Sequence, residues 1–224
     1  MSDRIAEVKR LMDEAAAAFA TVDSYTCVIH CHERIKGKLY KPESIFSRFK
    51  KPGSVYLRWQ RGPYEGLQAS HVPHRDGPDK FQARESGLKG LAGALTFPHT
   101  SPLIDAAYPH HFRTHETSVQ HLMQLSDQIQ RRAEALGKLV VLELAEVPDP
   151  FLERQVTKMV SELSPDPADG LRWRRTEFYM DHQTKLPLHF KLYDFDGEMS
   201  GEYAFTRLAA NVALTDDDFA LKRL

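Results

Sequence analysis

Apolar residues open the chain at helical intervals. Ile5, Val8, Met12, Ala15 and Phe19 follow one another at spacings of three and four, which predicts an amphipathic helix with one buried stripe over residues 3–21. The period then switches to two. Across residues 25–35, Tyr25, Cys27, Ile29 and Cys31 fall on one side and Thr26, Val28, His30, His32 and Arg34 on the other, which predicts a half-buried strand. Lys36-Gly37 reads as a hairpin turn, and a return strand is expected over residues 40–49. After the Lys51-Pro52-Gly53 turn, residues 55–60 place Val55, Leu57 and Trp59 on a single face. Shorter strands over residues 67–72 and 80–84 flank an Arg75-Asp76-Gly77-Pro78 turn. The first half is thus a meander of antiparallel hairpins behind a helix.

Residues 86–112 are rich in Gly, Pro and His and have no clean period, so loops and short elements covering the sheet are expected there. A second helix fits residues 115–136, with Val119, Leu122, Met123, Ile129, Ala133 and Leu136 as its stripe, Thr117 and Gln120 as a capping box and Gly137 as its C-cap. Residues 138–147 read as a strand. Residues 151–163 fit both periods, a helix opened by Asp149-Pro150 or a further strand. Three strands, over residues 172–180, 186–193 and 198–208, close the chain. No repeat or linker divides it, so the pattern predicts a single α+β domain over residues 1–224.

The closing segment also carries a family signature. Phe178-Tyr-Met-Asp181-His-Gln-Thr-Lys-Leu-Pro187, the strand to Asp194-Phe-Asp-Gly197, and then Asn211, Leu214 and Phe219 resemble the end of LolA-like proteins. Tyr25-Thr-Cys through Glu33-Arg34-Ile-Lys-Gly37, with Lys51-Pro52 leading to Trp59, is similar to the strands that open that fold. The chain is similar to a bacterial family of unknown function in that superfamily. The resemblance implies a curved antiparallel sheet forming an incomplete barrel, with helices covering the open side. In the superfamily's characterised members that concave face holds acyl chains. The motifs consist of turn and core residues, which speak for fold more than function. The cavity arginine and lid loop of the lipoprotein carriers find no match, so carrier activity does not carry over.

Composition narrows the partners. Lys and Arg number 30 against 31 Asp and Glu, a net charge of −1, which lacks the basic footprint of a nonspecific nucleic-acid binder. No run of 18 apolar residues occurs, so no transmembrane helix is expected. Charges at residues 3–10 stand where a secretory leader would be apolar. The expected location is therefore cytoplasmic if Met1 is the native start, and periplasmic by resemblance if a leader was trimmed. Cys27 and Cys31, four apart in a strand, are separated by about 13 Å and cannot pair.

On a half-barrel, Leu57, Trp59, Trp173, Phe178, Phe190 and Leu192 are the candidate ligand-binding residues, large apolar side chains suited to an acyl chain or another hydrophobic small molecule. The competing reading is ordinary core packing against the helices. His30 with His32, His71 with His74, and His110, His111 and His115 are loosely spaced like metal ligands, but no recognised ligand motif accompanies them, and no metal or cofactor is expected. Catalysis would need Cys31 with a histidine, or Glu33 with Glu177. Cys31 lies on the buried face, where a thiol is inert, and Glu33 is expected at a sheet rim beside a basic partner. Lys36, Lys38, Lys41, Arg48, Lys50 and Lys51 form a basic group around the first hairpin, suited to anionic headgroups or to guarding a solvated edge. The expected function is non-catalytic binding of a hydrophobic ligand by a monomer. A protein-interaction module using the same sheet face is the alternative, and an uncharacterised hydrolase a further one.

Overall fold

The computed structural model describes residues 2–87 and 89–222. Leu88, inside the stretch expected to form loops, lies outside them. Four helices occur among these residues: α1 (Ser2–Ala20), α2 (Pro73–Asp76), α3 (Pro102–Ala107) and α4 (Val119–Ala135). The strands are β1 (Ser24–Ile35), β2 (Lys38–Leu39), β3 (Glu43–Lys50), β4 (Ser54–Arg61), β5 (Gln68–His71), β6 (Lys80–Arg84), β7 (Leu95–Pro98), β8 (Val140–Asp149), β9 (Arg154–Glu162), β10 (Arg175–Asp181), β11 (Pro187–Tyr193) and β12 (Met199–Ala210). Together the twelve strands make one antiparallel sheet that is not closed into a barrel, the α+β incomplete barrel expected of the sequence. No helix among the described residues is long and apolar enough to cross a membrane.

The chain divides into two compact units, each built from separate stretches. Residues 2–21 join Val119–Thr206 in one, and Val22–Ser118 join residues 207–222 in the other.

The first unit carries strands in the order β12-β11-β10-β9-β8, with α1 and α4 packed against them. Register puts Met159, Phe178, Phe190 and Tyr203 in one row across four strands, and Ser161, Thr176, Leu192 and Gly201 in the next. A Cβ at Gly201 would lie 2.7 Å from Tyr203 Cε2, so glycine there is what lets the Tyr203 ring lie down on the sheet. The opposite face is polar. Its centre is His189, fully buried, with Nδ1 on Asp149 Oδ2 at 2.5 Å and Nε2 on Glu202 Oε1 at 3.2 Å, its ring stacked 4.3 Å from that of Tyr179. Residues 151–163, open between helix and strand in the sequence, enter β9. Asp149 Oδ1 accepts the N–H groups of Phe151 and Leu152, a turn that uses the carboxylate a helix would have needed as its cap.

The second unit orders its strands β7-β6-β5-β4-β3-β1, with β2 paired to β1 across the Lys36-Gly37 turn, where both residues take positive φ. Pro42 has no N–H to give a ladder, and the strand expected over residues 40–49 begins only at Glu43, as β3, with β2 lying before that range. One sheet face is covered by the tail. Leu214 and Phe219 pack on Tyr56 and Val72, while Arg48, Lys50, Gln68 and Ser70 donate to tail carbonyls. Arg48 and Lys50 thus hold the tail, and β3, flanked by β1 and β4, is no edge.

Candidate functional site

The other face of the second unit is apolar at its centre and polar at its ends. Rows across the sheet read Tyr25–Phe49–Val55–His71, then Cys27–Ser47–Leu57–Ala69, then Ile29–Ile45–Trp59, and last Cys31–Glu43. Tyr25 and Cys31 are six residues apart along β1, so the polar ends are separated by about 20 Å. The alternation expected for β1 is met, and it runs one step further, because Glu33 is buried on the same face.

A strap of residues 99–118, with only α3 and one 3-10 turn (Thr114–Glu116) as regular structure, crosses this face. It is pinned at both ends by histidines. At one end His99, His115 and His71 meet, with ring centroids 3.9 Å apart for His99 and His115 and 4.9 Å for His71 and His99. His99 also stacks on Phe81. Burial, with His115 and His71 beside it, drives the His99 imidazole down to about 3, so the His99 ring is neutral. His115 enters this cluster through the 3-10 turn, which is why the second helix starts at Val119 and not at residue 115.

The other pin is ionic. His110 Nδ1 bonds Glu33 Oε2 at 2.6 Å, and the His111 N–H donates to Glu33 Oε1 at 3.0 Å. His110 Nε2 faces Glu43 Oε2 at 3.7 Å, and Trp59 Nε1 donates to that same oxygen at 2.7 Å. Burial alone would lower the His110 pKa, but Glu33 and Glu43 together raise it, which favours the charged form of the ring. Burial holds the Glu43 carboxyl above its ordinary range and the Cys31 thiol well above its own, which leaves Cys31 protonated and without nucleophilic character. Tyr64 and Tyr108 close this end edge to face at 5.0 Å, with the Tyr108 hydroxyl donating to Glu85.

The six candidate ligand residues are all buried. Leu57 and Trp59 lie on the apolar centre beneath the strap, and Trp59 reaches the ionic pin through its indole N–H. Trp173, Phe178, Phe190 and Leu192 belong to the first unit, where the Phe178 and Phe190 rings stack at 6.0 Å and Phe190 stacks on Tyr203 at 4.9 Å. That unit also has a groove of about 260 Å³ between α1, α4 and β8, floored by Ile5, Val8, Met12, Leu139 and Val141 and rimmed by charged side chains.

Of the other candidates, His30 and His32 are half-buried on the opposite face of β1 from Glu33, and His74 pairs with Asp216. Glu33 is buried where a rim position was expected, and its basic partner is His110 of the strap. Glu177 accepts from the Tyr179 hydroxyl in the first unit. Glu43, His99, Tyr64 and Tyr108 carried no signal in the sequence as site residues. An acid at the end of an apolar strand face, as at Glu33 and Glu43, was the one available hint.

No curated protein matches this chain. Among solved structures, MucB is similar at 15% identity over 97% of this chain and 63% of its own length, with a TM-score of 0.50. The LolA superfamily protein NE2245 from Nitrosomonas europaea is similar at 7% identity over 95% of this chain and 97% of its own, with a TM-score of 0.42. The lipoprotein LppX from Mycobacterium tuberculosis is similar at 11% identity over 92% and 98%, with a TM-score of 0.47. At these identities the likeness concerns the fold. Residues 22–223 match the family DUF1571, described as a protein of unknown function, and the chain belongs to that family.

Proposed function

We propose that this protein binds a hydrophobic ligand, a lipid or other acyl chain, without chemistry. The apolar contacts are proposed for each unit by itself, Leu57 and Trp59 in the second and Trp173, Phe178, Phe190 and Leu192 in the first. The observation that carries the reading is the cover over Leu57 and Trp59. An apolar sheet face is normally sealed by a helix or a second sheet, whereas this one lies under a largely irregular strap whose polar attachments are concentrated at its two ends. A strap held at its ends opens at lower cost than a core element does. Leu103, on α3 within the strap, is 76% exposed, an apolar side chain on the outside of the cover. The protonated Cys31 thiol supports a binding role over nucleophilic catalysis.

Native mass spectrometry of gently purified protein, followed by titration with a dansyl-labelled fatty acid, tests the reading. The expected result is copurified lipid or saturable binding of the probe, weakened at least tenfold by Leu57→Asn. An empty protein that also leaves the probe unbound would refute it.

A further inference from the structure

Three side chains at the ionic pin, Cys31, Glu33 and His110, bring a sulfur, a carboxylate oxygen and an imidazole nitrogen within 4.8 Å of one another. They come from two separate places, β1 and the strap, and among the described residues no other trio of His, Cys, Asp and Glu meets so closely. We propose that this is a zinc site, in which the ion ties the strap to β1.

Donor type points to zinc. Thiolate, imidazole and carboxylate together form a borderline-soft set, which suits Zn²⁺ over Mg²⁺ or Ca²⁺, whose ligands are oxygens. Charge allows the exchange. Glu33 and Glu43 are both buried, and Zn²⁺ together with the Cys31 thiolate sets the same net single positive charge beside them as the imidazolium it replaces. The ring's second nitrogen is uncommitted: His110 Nε2 is shielded from solvent, has no hydrogen-bond partner and can keep a proton while Nδ1 binds the ion.

Little needs to move. Zinc bonds of about 2.0–2.3 Å at tetrahedral angles set neighbouring ligand atoms roughly 3.4 Å apart. Glu33 Oε2 and His110 Nδ1 would therefore part by under about 1 Å from their present 2.6 Å contact. Cys31 gives up its thiol proton as the Zn–S bond forms, the protonated His110 ring gives up its Nδ1 proton as the Zn–N bond forms, and both protons leave to solvent. With Nδ1 on the ion, the ring carries its remaining proton on Nε2 and directs it at Glu43, which Trp59 already holds in place from the other side. The His111 N–H keeps its bond to Glu33 Oε1, which fixes the ligating carboxylate. Three protein ligands leave the fourth position to water.

Metal-free protein titrated with Co²⁺, read by absorbance, tests this directly, because a cobalt–thiolate bond gives a near-ultraviolet charge-transfer band. The expected result is that band at one equivalent, its displacement by Zn²⁺, and a zinc-dependent rise in melting temperature. Cys31→Ser should abolish the band, Glu33→Gln and His110→Asn should weaken binding at least tenfold, and Cys27→Ser, four residues away along β1, should retain it. Absence of the band in the wild-type protein, or a band that survives Cys31→Ser, overturns the site. Because the titration uses no lipid, its failure is separate from failure of the ligand-binding reading.

Discussion

Replacing Glu33 by alanine releases one end of the strap, and the consequence should be local. The carboxylate accepts from His110 at 2.6 Å and from the His111 N–H at 3.0 Å, both largely out of solvent. Breaking a buried ion pair by removing one partner costs about 3–5 kcal/mol. Glu43, 3.7 Å from the other ring nitrogen, partly compensates the His110 charge and places the loss near the low end, about 3 kcal/mol. At about 1.4 kcal/mol per factor of ten, that is roughly a hundredfold increase in the open population of the strap. Hydrogen–deuterium exchange on metal-free protein reads this out. Amides of residues 108–113 should exchange about a hundredfold faster, while those of α4 in the other unit keep their rates. Less than a threefold change at residues 108–113, or an equal loosening of α4, would refute the picture of a cover held by its ends.

Other consequences are equally concrete. Trp59→Ala removes a buried ring and the donor to Glu43, and should cost about 3–5 kcal/mol in chemical denaturation, with Trp59→Phe intermediate. Gly201→Ala sets a methyl against the Tyr203 ring and should cost about 1–3 kcal/mol; a neutral result in the same assay would show that the ring is free to move. Stability should also depend on pH through His189. Burial opposes its charge, but Asp149 and Glu202 raise its pKa, so its contribution is complete below its unfolded value of about 6.5 and fades as pH climbs through the raised one. Its hydrogen bond to His189 is the main cause that lowers Glu202, to about 2, and Asp149 is lowered as well, so their contribution is present above about pH 4 and is lost in acid. Melting temperature against pH should therefore show a plateau between roughly pH 4.5 and 6.5 that His189→Gln flattens.

Much of the architecture was legible because half-buried strands alternate. Tyr25 to Cys31, and Val55, Leu57 and Trp59, announce their face by period alone. Turn chemistry was equally plain, since Asp181 accepts from Thr184 and Asp194 from the Glu198 N–H, the turns that the sequence places at those aspartates. Glu33 could not be placed from sequence, because its partner His110 lies 77 residues away in a stretch without periodicity. The same distance hid the histidine cluster. His115 looked like the first residue of a helix, and only the tertiary contact with His71 and His99 removes it from α4. Residues 151–163 stayed ambiguous because both periods fit, and Asp149 decided the matter through a local hydrogen-bond choice.

Photo-crosslinking with a diazirine-bearing fatty acid, mapped by peptide mass spectrometry, puts the ligand-binding reading to its most direct test. If an acyl chain enters beneath the strap, labelling saturates, unlabelled fatty acid competes it away, and adducts fall on β4, β5 and residues 99–118. Labelling that does not saturate, or adducts confined to the polar face around His189, would contradict the account.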